Sequence, residues 1–210
     1  GDAWSLEPKA VEELLEKLRT RAMPLTAFAS IEPGAGFATG DNKVFVIDST
    51  RRAALLEADP TCSEIIKPYL RGEDLDRWSA LWDGQWIIFT RRGINIDAYP
   101  SVRAYLEENR SSLEPKPDDW RPNRDGEQWQ GRKGGSYKWY ELQDSVDYWK
   151  QLDAPKIVYR DIMWRSSFSL DSTGAYGSKT LYYLPTDDTW LLAVLNSPIA
   201  WWYSWRRALH

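Results

Sequence analysis

Apolar residues recur at helix-like spacing in several parts of the chain. In 9–21 and 101–113 they return every three or four positions, which predicts two amphipathic helices. Residues 190–205 are mostly apolar and predict a buried helical segment that is interrupted at Pro198. A shorter apolar run predicts a turn or short helix over 51–58. Helices therefore account for both ends of the chain and for its middle.

Strands are predicted where β-branched and aromatic residues cluster between turn-forming residues. The clearest run is 85–90, which follows Asp83-Gly84. Further strands are predicted over 44–48, 154–160 and 179–184. The run 65–72 predicts either a strand or a 3₁₀ segment that ends at Gly72.

A hairpin is predicted between 167–171 and 175–176, because Gly174 can supply the turn conformation that a tight connection requires. Together, the helices and strands predict an α+β fold with twisted mixed β-sheets and peripheral helices.

The glycine-rich segment 33–43 precedes a predicted strand. A phosphate-binding loop of the nucleotide-binding type follows a strand, opens a helix and ends in Gly-Lys-Ser/Thr. The order here is reversed and that ending is missing, so the pattern argues against a nucleotide P-loop. Two interpretations of this segment remain: a tight turn, or a place where the backbone approaches a ligand closely.

Residues 114–138 interrupt the periodic pattern with repeated Pro and Gly, which predicts a long exposed loop. Its second half interleaves basic residues with Trp120, Trp129, Tyr137 and Trp139. Basic and aromatic side chains on one glycine-rich loop suit contact with phosphates and bases. The alternative is a surface loop whose aromatic rings pack back onto the core.

Composition narrows the possible chemistry. The chain has 210 residues, including 13 Trp and 11 Tyr, but one Cys and one His. A single cysteine disfavours a disulfide framework and a cysteine zinc site. Ser-His-Asp and Cys-His catalysis are also disfavoured, because the one histidine, His210, is the last residue. Acidic pairs at Asp74/Asp76 and Asp118/Asp119 could bind Mg²⁺ in a nuclease, but adjacent loop acids are more often solvated.

Charge is distributed unevenly along the chain. The net charge is −4, yet residues 1–120 carry 15 Lys and Arg against 21 Asp and Glu, whereas 121–210 carry 12 against 10. Any contact with a polyanion is therefore expected at a local patch. There is no apolar run of about 18 residues and no signal-like start, so the sequence predicts a piece of a cytoplasmic protein that makes no membrane contact.

Four segments, in their order and spacing, resemble one protein family. They are Gly36-x-x-Thr39-Gly40-x-Asn42-x-x-Phe45-x-Ile47; Lys67-Pro68-Tyr69-Leu70-Arg71-Gly72-x-Asp74-Leu75-x-Arg77-Trp78; Tyr99-Pro100 to Tyr105-Leu106 with Leu113-Glu114 and Lys138-Trp139-Tyr140-Glu141-Leu142; and Pro155-Lys156-Ile157-Val158-Tyr159 with Leu192-Ala193-Val194-Leu195-Asn196-Ser197. The chain resembles the TaqI-like C-terminal specificity domain of adenine-specific DNA methyltransferases and type IIG restriction-modification enzymes.

The resemblance implies that residues 1–210 form a target-recognition domain for double-stranded DNA, linked in cis to an adenine-N6 methyltransferase domain. Possible sub-lobes 1–113 and 139–210 would be joined by the loop 114–138. Neither a catalytic residue nor a metal ligand is expected here. S-adenosylmethionine is expected in the parent enzyme but not in this chain, which lacks Asn-Pro-Pro-Tyr and a cofactor-binding glycine loop.

The candidate DNA contacts are basic or amide side chains. Those expected at phosphates are Lys43, Lys67, Arg132, Lys133 and Lys138. Those expected at base edges are Arg121, Arg124, Arg160 and Arg165, because Arg pairs bidentately with guanine, and Gln128 and Gln130, which suit adenine. A different hypothesis is a protein-interaction module whose acidic N-terminal half and Trp-rich end bind a partner without contacting DNA.

Overall fold

The computed structural model describes residues 8–29 and 31–208. Its helices are α1 (Lys9–Arg21), α2 (Leu25–Ala29), α3 (Asn42–Phe45), α4 (Ser49–Ala58), α5 (Pro100–Glu108), α6 (Arg110–Leu113), α7 (Thr189–Leu195) and α8 (Pro198–Ala208). Its strands are β1 (Gly34–Ala35), β2 (Val46–Ile47), β3 (Ile66–Leu70), β4 (Trp78–Ser79), β5 (Trp86–Ile88), β6 (Lys156–Arg160), β7 (Ser169–Asp171), β8 (Tyr176–Gly177) and β9 (Leu181–Leu184). The predicted α+β class is confirmed.

Two mixed sheets occupy the centre of the fold. The first has the order β1-β9-β6-β7-β4, with a parallel pair between β4 and β7, and the second has the order β2-β5-β3-β8, with a parallel pair between β3 and β8. Each sheet takes strands from both sides of the loop 114–138. Strands that precede this loop and strands that follow it therefore pair with each other in both sheets.

The strand expected over 44–48 is wrong in its first half. Residues 42–45 form α3, because Asp41 accepts a hydrogen bond from the Lys43 backbone amide at 3.0 Å and so caps a helical turn. The helix expected over 101–113 divides at Asn109 into α5 and α6. Pro198 ends α7 as expected and also begins α8, since proline is tolerated in a first helical turn.

The predicted hairpin around Gly174 is also wrong. Gly174 does turn the chain with a φ of +69°, but it leads from β7 in the first sheet to β8 in the second. Asp171 sets this path, because its carboxylate accepts hydrogen bonds from the backbone amides of Thr173 and Ala175, each at 2.9 Å. The strand that pairs with β7 in antiparallel register is β6, whose Lys156 lies opposite Asp171.

A buried ion pair ties β6 to this turn. Lys156 donates to an Asp171 carboxylate oxygen at 2.6 Å and to the Leu152 carbonyl at 2.7 Å, and both charged side chains are buried. Burial lowers the pKa of Lys156, whereas Asp171 acts in the opposite direction. Because two amides and a hydroxyl also saturate the carboxylate, the charges are fully compensated inside the protein.

Two apolar clusters form the core. The larger includes the edge-to-face rings of Phe37, Phe89 and Tyr176 and packs around the second sheet. The smaller joins β6 and β9 to α7 through Ile157, Leu184 and other buried aliphatic side chains. Helix α1 forms as its spacing predicts, but none of its residues is fully buried, and Val11, Leu15 and Leu18 on its apolar face are half-buried.

Within residues 8–29 and 31–208, no helix is long and apolar enough to cross a bilayer.

Candidate nucleic-acid interface

A groove of about 730 Å³ opens where the glycine-rich loop meets the segment before β9. The loop 37–43 and the segment 178–180 line it, together with Tyr69 and Arg71 at the end of β3. Lys133 and Gln143 also line the groove. The loop is brought to this position by a parallel bridge between Phe37 and Ser178.

Two glycines allow the loop to lie so close to its neighbours. A Cβ at Gly36 would lie 2.1 Å from the Ser178 carbonyl oxygen, so only glycine permits this approach. Gly40 has a φ of +90°, and a Cβ there would lie 2.7 Å from the Arg132 side chain. The backbone of the glycine-rich segment thus packs closely against other parts of the protein, and the segment forms part of the groove lining.

The groove carries an excess of positive charge. Lys43, Lys133 and Lys179 are exposed and form no ion pair with any residue in 8–29 or 31–208. Arg71 is the fourth cation, and Asp41, which caps α3, is the acid in the lining. Three uncompensated ammonium groups on one concave surface favour a polyanion.

Arg71 is held rigidly by acids. Its guanidinium pairs with Asp74 at 3.1 Å, Asp83 at 2.6 Å and Glu73 at 2.7 Å. The side-chain hydrogen bond that Arg71 donates to Asp74 is the main reason why the pKa of Arg71 is raised. With three carboxylates around it, the charge of Arg71 is neutralised within the protein.

Sequence reasoning missed Lys179 and Arg71 as members of this surface. Lys179 lies in the short connection between β8 and β9, and it reaches the groove because β8 pairs with β3 in parallel. A long-range parallel pairing leaves no local trace in the sequence. The nearest signal was the polar triplet 178–180 in an otherwise strand-like segment.

Arg132 is not a phosphate contact, contrary to the sequence prediction. Its side chain is 3% exposed, and burial lowers the pKa of the guanidinium. It donates to five backbone carbonyl oxygens. These belong to Leu113 (2.7 Å), Thr39 (3.0 Å), Glu141 (2.8 Å), Lys138 (3.2 Å) and Trp139 (2.8 Å). The guanidinium therefore joins three chain segments and has no free face for DNA.

The loop 114–138 lacks helix and strand, as predicted, but it is not exposed throughout. The backbones of Glu114 and Lys116 form hydrogen bonds with Arg132, each at 2.9 Å, which closes the loop at its base. Trp120 and Trp129 meet edge to face at 5.9 Å, so these rings stabilise the loop internally. Four predicted base contacts, all exposed, remain near the tip. They are Arg121, Arg124, Gln128 and Gln130.

The other predicted contacts lie away from the groove. Lys67 pairs with Asp153 at 3.5 Å. Lys138 lies beside the Tyr140 ring in a second groove, and a hydrogen bond to Tyr140 is the main cause of its raised pKa. Arg160 is half-buried and donates to the Leu75 carbonyl, whereas Arg165 is exposed and pairs with Asp76 at 3.0 Å. The structure thus brings together only Lys43 and Lys133 of the predicted set.

A family model described as "TaqI-like C-terminal specificity domain" matches residues 67–208. The chain belongs to this family. The match includes Arg71, Lys133 and Lys179 of the groove, whereas the glycine-rich loop lies before it.

Two known proteins are similar to this chain. The type II methyltransferase M.PaeR7I of Pseudomonas aeruginosa is 27% identical over 202 residues, which cover 94% of this chain and 31% of that protein. The chain thus spans about a third of its curated relative. The fold is similar to part of the type IIL restriction-modification enzyme MmeI, whose structure was determined in complex with DNA. The TM-score is 0.52, the match covers 80% of this chain and 21% of MmeI, and the sequence identity is 11%.

Proposed function

We propose that this specificity domain recognises a short sequence of double-stranded DNA for a linked adenine-N6 methyltransferase. The observation that carries the proposal is the groove with three unpaired lysines in a chain of the specificity-domain family. Lysines at phosphates fix register and orientation, whereas side chains on loops read base edges. The exposed residues of the loop 114–138 tip and Arg165 are the proposed base readers.

The methyltransferase chemistry belongs to the remainder of the parent protein, which binds S-adenosylmethionine under this proposal. M.PaeR7I, a methyltransferase, extends well beyond the region that this chain matches, which supports a catalytic domain in cis. The proposed division of labour leaves this chain with DNA recognition, in a protein that acts in the cytoplasm.

Selection from a pool of randomised duplexes tests the proposal. The 210-residue chain is expected to enrich one short sequence over successive rounds at moderate salt, because specific sites bind at least about a thousandfold more tightly than random DNA. Mapping methylated adenines in cells that carry the parent should return the same sequence. Enrichment of no sequence at any salt concentration would contradict the proposal.

Removing the groove lysines should weaken binding to every duplex. The triple variant Lys43→Ala/Lys133→Ala/Lys179→Ala is expected to bind about 10- to 100-fold more weakly at 0.1 M salt, because each lost phosphate contact removes counterion release. The slope of log K against log salt should flatten by about 0.9 per lysine. Fluorescence anisotropy with a labelled duplex measures both quantities.

A charge-matched control separates the groove from net charge. Lys9, Lys17 and Lys150 are exposed lysines outside the groove, and their triple alanine variant has the same total charge as the groove variant. This control should bind DNA as tightly as the unsubstituted 210-residue chain does. Equal losses in the two variants would mean that the groove is not the site.

One feature favours the alternative of a protein-interaction module. An apolar groove of about 490 Å³ lies between the end of α1 and the helices α7 and α8, and Leu18, Met23 and Ile199 line it. Such a surface suits contact with another protein surface. Absence of DNA binding at both low and moderate salt would favour this function over DNA recognition.

A further inference from the structure

The connection between β6 and β7, residues 161–168, presents two large apolar side chains to solvent. Trp164 is 84% exposed and Ile162 is 74% exposed. An indole in water forgoes the hydrophobic stabilisation that its burial would contribute. A tryptophan held in water on a folded domain is therefore a candidate contact for a partner.

The loop that carries Trp164 is firmly anchored at both ends. The Asp161 amide donates to the Thr180 carbonyl at 2.9 Å. At the other end, Ser166 is buried and its hydroxyl donates to the Leu195 carbonyl at 2.6 Å, while the Phe168 amide donates to the Asn196 side chain at 3.1 Å. The exposure of Trp164 is thus imposed by an ordered frame.

A second exposed tryptophan lies on the adjacent edge strand. Trp78 in β4 is opposite Ser169 in β7 and is 49% exposed. Among the residues described, it is the one non-glycine residue with a positive φ, +81°. For a bulky side chain this backbone conformation is unfavourable, and such strain is concentrated at functional positions.

Positive charge flanks these rings. The Arg77 side chain donates to the Ser166 carbonyl at 3.3 Å, and the exposed Arg165 follows Trp164 directly. Asp76 is engaged by Arg165 at 3.0 Å, which leaves the exposed Asp161 as the opposing charge in this loop. Indole rings beside guanidinium groups suit a ligand that combines planar rings with anionic groups, as nucleic acid does.

A backbone hydrogen bond links the aromatic edge, defined as Trp78, Ile162 and Trp164, to the groove that carries the three lysines. Thr180 lines the groove and accepts the hydrogen bond from Asp161 at the start of the loop. Gly72, beside Arg71, lies against both Thr180 and Arg160. A duplex held by the groove lysines would therefore continue toward the aromatic edge.

We propose that Trp164 inserts into or stacks on a base step of the bound duplex, with Trp78 and Ile162 supporting it. Apolar wedges of this kind partly unstack a base step and bend the DNA toward a larger contact surface. The inference rests on the proposed DNA recognition. It adds a contact that is sensitive to sequence, because base steps differ in how easily they unstack.

Substituting Trp164 tests this wedge in the full 210-residue chain. Trp164→Ala is expected to weaken duplex binding about tenfold with an unchanged salt slope, because stacking releases no counterions. Trp164→Phe should retain most of the affinity. A duplex with 2-aminopurine at successive positions should brighten at one position on binding the parent sequence and stay dim with Trp164→Ala.

Trp190 supplies the matched control. It is 63% exposed at the start of α7, but its neighbours Asp187 and Asp188 are acidic. Trp190→Ala should leave affinity and fluorescence unchanged. If Trp164→Ala also leaves both unchanged while the groove variant loses affinity, the wedge is refuted and DNA recognition stands. If the unsubstituted 210-residue chain binds no duplex, both proposals are refuted.

Discussion

Replacing Arg132 with alanine is expected to lower the free energy of unfolding by about 3–5 kcal/mol, the range seen when one partner of a buried charged network is removed. Five carbonyl oxygens from three chain segments would lose their donor. Unpaired buried carbonyls retain their desolvation cost, and the vacated space adds a cavity. Urea denaturation followed by tryptophan fluorescence measures the loss.

Two further variants make this result specific. Arg132→Lys keeps the charge but cannot present the planar fork of donors, so it should recover only part of the stability. Lys133→Ala, one position away on the surface, should change stability by less than about 0.5 kcal/mol. An Arg132→Ala protein as stable as the Lys133→Ala protein would show that the carbonyl network is dispensable.

Raising the pH from 9 to 11 is expected to remove about 4 kcal/mol of stability through three buried tyrosines. Desolvation raises the pKa of Tyr69 and of Tyr183 to about 12 and raises that of Tyr176 well above its usual value. These phenols stay protonated in the folded protein while the unfolded chain ionises near pH 10. Their stabilisation is therefore complete below pH 10 and is lost as pH rises toward 12, at about 1.4 kcal/mol per pH unit for each group.

The contribution of one tyrosine can be isolated by Tyr183→Phe. This change removes a single hydrogen bond, to Gln151 at 3.2 Å, and keeps the ring. The slope of unfolding free energy against pH above pH 10 should become shallower by about 1.4 kcal/mol per unit. Lys156, whose pKa burial lowers, opposes the alkaline loss in both proteins and cancels in the comparison. Parallel curves for Tyr183→Phe and the parent sequence would exclude the tyrosine mechanism.

Local sequence patterns predicted most helices and strands but not how the strands associate. The cores of β3, β5, β6 and β9 lie within the predicted runs, because β-branched and aromatic residues favour strands wherever they pair. The false hairpin shows the limit. Gly174 indicated a turn correctly, but the side chain of Asp171 determined where the turn leads.

The candidate site was less accessible from sequence. Lys43 and Lys133 were found because they lie near glycine-rich segments, whereas Lys179 required knowledge of the pairing between β3 and β8. Arg132 was assigned to phosphate because basic residues in loops are usually solvated, and only the surrounding carbonyls reveal its burial. Trp164 went unnoticed, since sequence does not distinguish an exposed ring from a core ring.

Each sheet combines strands from before and after the loop 114–138, and this restricts how the domain can change its specificity. Strands β1 to β5 precede the loop 114–138 and β6 to β9 follow it, yet each sheet needs members of both groups. A genetic crossover between two relatives inside that loop would force unrelated strand partners together in both sheets at once. New recognition sequences should therefore arise by exchange of the entire domain or by replacements in surface loops. Chimaeras joined at residue 120 or 130 should be recovered as aggregates, whereas transplanted loop tips should remain soluble.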